Sequence, residues 1–244
     1  MKKIYIIIGV FIVLILGLFI SLNIILSNNN KENEDSINSS LVSFYDIGKS
    51  NITIIQKDNF NILIGTGSFD DQEKLLKVIS SLNISKFEYV ILPNLEESSI
   101  GNIGFLINNY DISYLYMKTD TLDNEEFNEA LTNHYLEIIP LTSTEVIEIG
   151  TLTINIYMDK DNNYYFDINE NNHSINIINN VSSIDKISNS DVLVFDDYSL
   201  ARDTSFAYYI YDGNDDLNID ATELKRDVSI SLNDDKLRVN KMDK

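Results

Sequence analysis

Between Asn51 and Tyr135 the spacing of apolar residues alternates between a period of two and a helical period, twice over. "NITIIQKDNFNILIGTG" (Asn51–Gly67) reads as two strands joined at "KDN". "SFDDQEKLLKVISSLNI" (Ser68–Ile84) places Leu75, Leu76, Ile79 and Leu82 on one helical face, with Asp70 and Asp71 suited to its N-terminal turn by capping and by the dipole. "FEYVILPN" returns to a buried-strand pattern, and a helix is expected from Ser99 to about Asn109. "DISYLYMK" is a strand, and "DNEEFNEALTNHY" (Asp123–Tyr135) a helix with Phe127, Ala130 and Leu131 inward. Strand, helix, strand, helix implies crossover connections, and therefore at least part of a parallel sheet.

The flanks are strand-rich. "LVSFYDIG" (Leu41–Gly48) alternates and then meets a glycine. "EVIEIGTLTINIYM" (Glu145–Met158) turns at Gly150, and "NYYFDINENNHSINIINN" (Asn163–Asn180) is a hairpin around "NENNH". "SDVLVFDDYS" (Ser190–Ser199) is a strand ending in acids; "SFAYYIYDG" and "VSISLNDDKLRV" supply the last strands. The tyrosines of "FAYYIYDG" fit sheet packing. No repeat of fixed period and no second linker appears, so one domain is the simplest organisation.

Ahead of that body, Ile4 to Leu26 is apolar and uncharged. As a helix it would reach about 35 Å, enough to cross a bilayer with some tilt. It is longer than a signal-peptide core, and neither an A-x-A cleavage pattern nor a cysteine follows it. The reading is a cytoplasmic tip (1–3), an uncleaved anchor (4–26), a polar stalk (27–40) and an extracytoplasmic body (41–244). Lys2 and Lys3 stay inside by the positive-inside rule. The expected location is the cell membrane, single-pass, with the body outside.

The net charge of −20 comes from 18 basic and 38 acidic residues. Nucleic-acid affinity depends on Lys and Arg displacing counterions, so direct DNA or RNA binding is not expected. There is no cysteine, which excludes disulfides and thiolate metal sites. No P-loop, G-x-G-x-x-G or G-x-S-x-G elbow is present.

"YVILPNLEESSIGNIGFLI" (Tyr89–Ile107) has the form of a working loop: a strand, a polar patch, then a glycine-punctuated apolar segment. In layered α/β folds ligands gather at such strand ends. The order of elements over roughly 41–239, with these turns, resembles the metallo-β-lactamase fold, an αββα-type sandwich. Within it the chain is most similar to the exported hydrolase-like domain of the DNA-uptake channel protein ComEC. "FYDIGKSNITII" and "ILIGTG" stand where that family has Asp-Val-Gly and Ile-Asp-Thr-Gly; "LPNLEESSIG" stands where it has Thr-His-x-His-x-Asp-His-Ile-Gly.

Ile100 and Gly101 match the family's Ile-Gly. The ligand positions do not match. Asn94 and Glu96 stand at the first two histidines, Ser98 at the aspartate and Ser99 at the last histidine. Gly65 replaces the aspartate of Ile-Asp-Thr-Gly. "IINN" (Ile177–Asn180) lies where the resemblance implies a metal-bridging aspartate. Asp196 and Asp197 lie where it implies His-His-Gly. A dinuclear zinc site needs several imidazoles and a bridging carboxylate, yet the chain has two histidines, His134 and His173, expected in a helix and in a hairpin turn.

The resemblance therefore implies a scaffold without its zinc: no catalytic residue, no cofactor, and a binding or assembly role, with a protein partner at the cell surface. The alternative is a phosphodiesterase- or nuclease-like hydrolase, ComEC-related, using Ca, Mg or Mn at an Asp/Glu site. The candidate polar site is Asn94, Glu96, Ser98, Ser99, Asp46, Asp196 and Asp197. Ser98 and Ser99 read first as helix N-cap residues, since no histidine base lies nearby in sequence. "DKDNNYYFD" (Asp159–Asp167) begins like a calcium loop but lacks the central glycine and closing glutamate.

Overall fold

The computed structural model describes residues 39–118, 125–179, 181–184, 191–201, 206–211, 222–223, 227–233 and 236–241. The expected tip, anchor and most of the stalk lie outside the described residues. Among the described residues no helix is long and apolar enough to cross a membrane.

β1 (Ser40–Asp46), β2 (Asn51–Lys57) and β3 (Phe60–Ile64) form an antiparallel meander. A 3₁₀ turn (Phe69–Asp71) and α1 (Gln72–Ser81) lead to β4 (Lys86–Ile91). α2 (Glu97–Ile100) and α3 (Ile103–Asn109) lead to β5 (Asp111–Met117), and α4 (Glu125–Asn133) to β6 (Glu137–Pro140). β3 to β6 are parallel neighbours, as their helical crossovers require. The chain then builds a second sheet from β7 (Glu145–Ile149), β8 (Leu152–Met158), β9 (Tyr164–Glu170) and β10 (His173–Ile177), all antiparallel. β11 (Val192–Phe195), α5 (Tyr198–Ala201), β12 (Tyr208–Tyr211) and β13 (Thr222–Glu223) extend it in parallel. β14 (Val228–Asn233) and β15 (Lys236–Lys241) return to the first sheet beside β1. Among the described residues the sheet orders are β15-β14-β1-β2-β3-β4-β5-β6 and β13-β12-β11-β10-β9-β8-β7.

Strand alternation sorts the apolar residues into layers. Val42, Phe44, Ile62 and Ile64 of the first sheet share one buried cluster with Ile154, Phe166, Ile175 and Val194 of the second. Their neighbours Ile54, Leu63, Val90 and Leu115 sit on the other face of the first sheet, with Leu75, Ile79, Ile103, Leu106, Phe127 and Ala130 of the helices. On the far face of the second sheet Tyr165, Leu193, Phe195 and Tyr211 pack with Ile178 and Val181. The result is a mixed α/β sandwich of two sheets. Beside the outer cluster of the second sheet, the single-turn α5 is the one helix among the described residues, with Leu200 packed against that cluster.

Several local expectations change. On α1, Leu75 and Ile79 are buried and Leu82 packs beside them, but Val78 rather than Leu76 completes the stripe. Asp70 and Asp71 make no cap hydrogen bond to the helix. Both oxygens of Asp71 accept from the Lys49 amide at 3.1 and 3.0 Å, and Asp70 pairs with the Lys49 ammonium. The 3₁₀ turn ahead of α1 turns these carboxylates to the β1–β2 connection. The single helix expected from Ser99 is two short ones, separated at Gly101 and Asn102. β6 was not anticipated; at four residues it is too short to show a period. His173 opens β10 rather than lying in the turn, and its Nδ1 is 3.1 Å from Asp191 Oδ2.

The calcium-like loop is a staple. Asp159 is buried, and its Oδ1 accepts from the amides of Asp161 and Asn163 at 2.9 and 2.8 Å. Its Oδ2 accepts from the Ser182 amide at 2.8 Å and hydroxyl at 3.0 Å. Burial pushes this carboxyl up, but the hydrogen bonds from Ser182, Asn163 and Asp161 outweigh it and hold the pKa below the ordinary aspartate value. A depressed folded pKa contributes stability above the unfolded value of about 3.9 and loses it as pH falls through the folded pKa. Asp159→Asn should therefore destabilise the protein by about 1–3 kcal/mol at pH 7. In chemical denaturation from pH 7 to pH 2, the gap between variant and wild type should narrow only below the ordinary aspartate pKa.

Candidate functional site

The loop after β4 is built around the connection that follows β3. The Gly65 amide donates to Ile91 O at 2.9 Å and the Thr66 amide to Ser99 O at 2.7 Å. Asn102, fully buried, donates its side-chain amide to Thr66 O at 2.9 Å and to Ser68 O at 2.7 Å. Glu97 Oε1 accepts from the Ser68 hydroxyl at 2.6 Å and the Phe69 amide at 2.8 Å. Ser68 in turn donates its amide to Ser50 Oγ at 2.8 Å, tying in the β1–β2 connection. The Tyr164 amide donates to Pro93 O at 2.9 Å, and this fastens the loop to the second sheet.

These contacts frame a cleft of about 200 Å³. Phe44, Ile52, Ile64, Phe166 and Ile177 give it apolar surface; Ser50, Asn51, Thr53, Ser98, Ser99 and Asn179 give it hydroxyls and amides. Among the described residues Lys49 and Asp196 are its charged members, alongside Gly65, Pro93 and Tyr164. The Lys49 ammonium is hydrogen-bonded to Asp70, and that bond with the Asp70 charge raises its pKa.

Of the seven candidate positions, Ser98, Ser99 and Asp196 line this cleft, and Asn94, Glu96, Asp46 and Asp197 are not among its lining residues. Each of the latter has a local reason. Asn94 is buried, and its side-chain oxygen accepts from the Glu96 amide at 2.9 Å, closing an Asx turn. Glu96 is exposed at the start of α2. Asp46 accepts from the Gly48 amide at 3.0 Å, and Asp197 from the Ser199 amide at 2.7 Å, at the start of α5. Ser98 and Ser99 are not N-caps: they lie inside α2, whose N-cap position is Glu96, while Asn102 precedes α3. Sequence reasoning missed Lys49, Asn51 and Thr53. The antiparallel turn from β1 to β2 carries them to the same end of the sheet as Gly65, a signal available once the β2–β3 hairpin is drawn.

The donor set does not fit two zinc ions. The loop offers an amide already in a turn, an exposed carboxylate and two hydroxyls, with glycine at the position of the Ile-Asp-Thr-Gly aspartate. Zinc sites of this kind are made from imidazole and carboxylate. Among the described residues no three His, Cys, Asp or Glu side chains are grouped to hold a metal.

No family model and no curated protein matches the chain. Solved structures do match it. The metallo-beta-lactamase fold protein YhfI from Bacillus subtilis superposes with a TM-score of 0.54 at 14% identity, over 73% of this chain and 88% of that one. A diphosphatase of the PhnP family gives 0.51 at 12%, over 76% and 93%. Zinc-bound PqqB from Methylobacterium extorquens gives 0.51 at 11%, over 66% and 75%. At these identities the likeness is one of architecture: the chain has the metallo-β-lactamase fold.

Proposed function

We propose that this chain is a membrane-anchored extracytoplasmic protein whose metallo-β-lactamase fold serves as a non-catalytic binding or assembly module, related to the exported domain of ComEC. The observation that carries the reading is the chemistry of the loop after β4. Its frame is intact, down to the Ile100–Gly101 step, while Asn94, Glu96, Ser98 and Ser99 replace the metal donors. The apolar run 4–26 supports the anchor, and the flanking lysines support an outward-facing body.

An atypical hydrolase would need a cluster of hard oxygen ligands. Among the described residues Asp196 is the one Asp or Glu that lines the cleft, which favours the non-catalytic reading. Thermal unfolding of the full chain in calcium, magnesium or manganese tests it. The midpoint should not move with any of the three. A rise that follows mass action and disappears in Glu96→Ala or Asp197→Ala would overturn the metal-free reading and leave the hydrolase alternative standing. Protease added to intact cells should degrade the body and spare the N-terminus.

A further inference from the structure

We propose that the cleft binds one uncharged, polyhydroxylated ring, a sugar unit of hexose size. The inference rests on the non-catalytic reading above and names the ligand class for that same cleft. The volume, about 200 Å³, lies below the about 300–1,000 Å³ of clefts that take drug-sized ligands, which limits the occupant to a small molecule such as a single sugar ring.

The lining selects against charge of either sign. An anion would meet Asp196 and a strongly acidic chain, while the ammonium of Lys49 is already paired with Asp70. A cation would give up its hydration for one described carboxylate, Asp196, which already has a partner of its own. What remains is hydroxyl and amide chemistry: Ser50, Thr53, Ser98 and Ser99 can both donate and accept, and Asn51 and Asn179 carry amides that do each. A polyol needs many such groups converging on a small volume. It also presents C–H faces, which the apolar surface of Phe44, Ile52, Ile64, Phe166 and Ile177 can desolvate. Of the four loop positions that would hold metal donors in the resembled family, two are here serines, Ser98 and Ser99, at the wall of the same cleft.

Saturation-transfer NMR on the full chain, with chelator present, tests this against N-acetylglucosamine, glucose, glucosamine and glucose 6-phosphate. The two neutral sugars should receive saturation, and the amino and phosphorylated sugars should bind at least about tenfold more weakly. Ser98→Ala should weaken the neutral sugars about threefold to tenfold, the loss of one hydrogen bond. Ser98→Phe, if its melting shows it folded, should abolish their signal by filling the cleft; otherwise the alanine variant decides. The proposal is overturned if neither neutral sugar is saturated, if a charged sugar binds as well, or if the signal is unchanged in both Ser98 variants. None of those results restores a metal, so the non-catalytic reading would stand or fall separately.

Discussion

Lys57→Ala should lower the unfolding free energy by about 3–5 kcal/mol, the cost of leaving one charge of a buried pair alone. Lys57 ends β2 and Glu170 ends β9, so the pair joins the two sheets. It lies at the end of β2 away from the cleft-lining Asn51 and Thr53. The side chains are 5% and 0% exposed, and Lys57 Nζ is 2.5 Å from Glu170 Oε1. Glu170 Oε1 also accepts from the Thr151 hydroxyl at 2.9 Å, and Oε2 from the Ser40 amide at 3.0 Å. Removing the ammonium leaves a carboxylate in apolar surroundings with neutral donors only. For a chain of this size the loss should lower the melting midpoint by about 6–20 °C. A second change separates charge from packing: Lys57→Met with Glu170→Gln keeps an acceptor for Thr151 or Ser40 and carries no charge, so it should recover most of the loss. A double variant as unstable as Lys57→Ala would show that the pair's shape, not its charge, matters.

Gly101→Ala should also be severe, at the upper end of the about 1–3 kcal/mol expected for overpacking. Gly101 has helical dihedrals, φ −52° and ψ −35°, which alanine adopts without strain. The cost is contact alone. A Cβ there would lie 2.4 Å from Phe69 N, 2.7 Å from Gly67 O and 2.8 Å from the Ser68 carbonyl carbon. Those are backbone atoms held by Asn102 and Glu97, so they cannot swing aside as a side chain would. Gly150 provides the control. Its φ is +58° and a Cβ would meet nothing within 4 Å, so Gly150→Ala should cost about 1–2 kcal/mol, from the backbone conformation alone. Urea denaturation of the two variants side by side reads the difference. Equal losses would mean that the Gly67–Phe69 segment yields easily and that the cleft frame is not rigid.

The sequence shows the frame of this site more clearly than its chemistry. The period switch from Asn51 to Tyr135 reports the parallel strands because each helix has one apolar face and each strand alternates. The Ile100–Gly101 step is visible for a similar reason: only a residue without a side chain lets the two backbones meet. Side-chain roles are harder. Asp159 and Asp161 in "DKDNN" look like cation ligands until Ser182, more than twenty residues on, is seen to donate twice to Oδ2 of Asp159, while the amides of Asp161 and Asn163 take Oδ1. Asp46 and Asp197 look like site residues because they end strands, whereas each accepts from an amide two positions ahead. The Lys57–Glu170 pair was not legible at all, since its partners are separated by 113 positions and neither carries a local signal.

Under the proposed function the fold keeps the cleft frame and has exchanged metal donors for hydroxyls and amides. Metal analysis of the full chain, purified without chelator and then equilibrated with excess zinc and gel-filtered, tests it most directly. The account predicts zinc far below one ion per chain, with no shift in the melting midpoint. One or two zinc ions retained per chain, released together with a phosphodiesterase or lactamase activity when chelated, would contradict it.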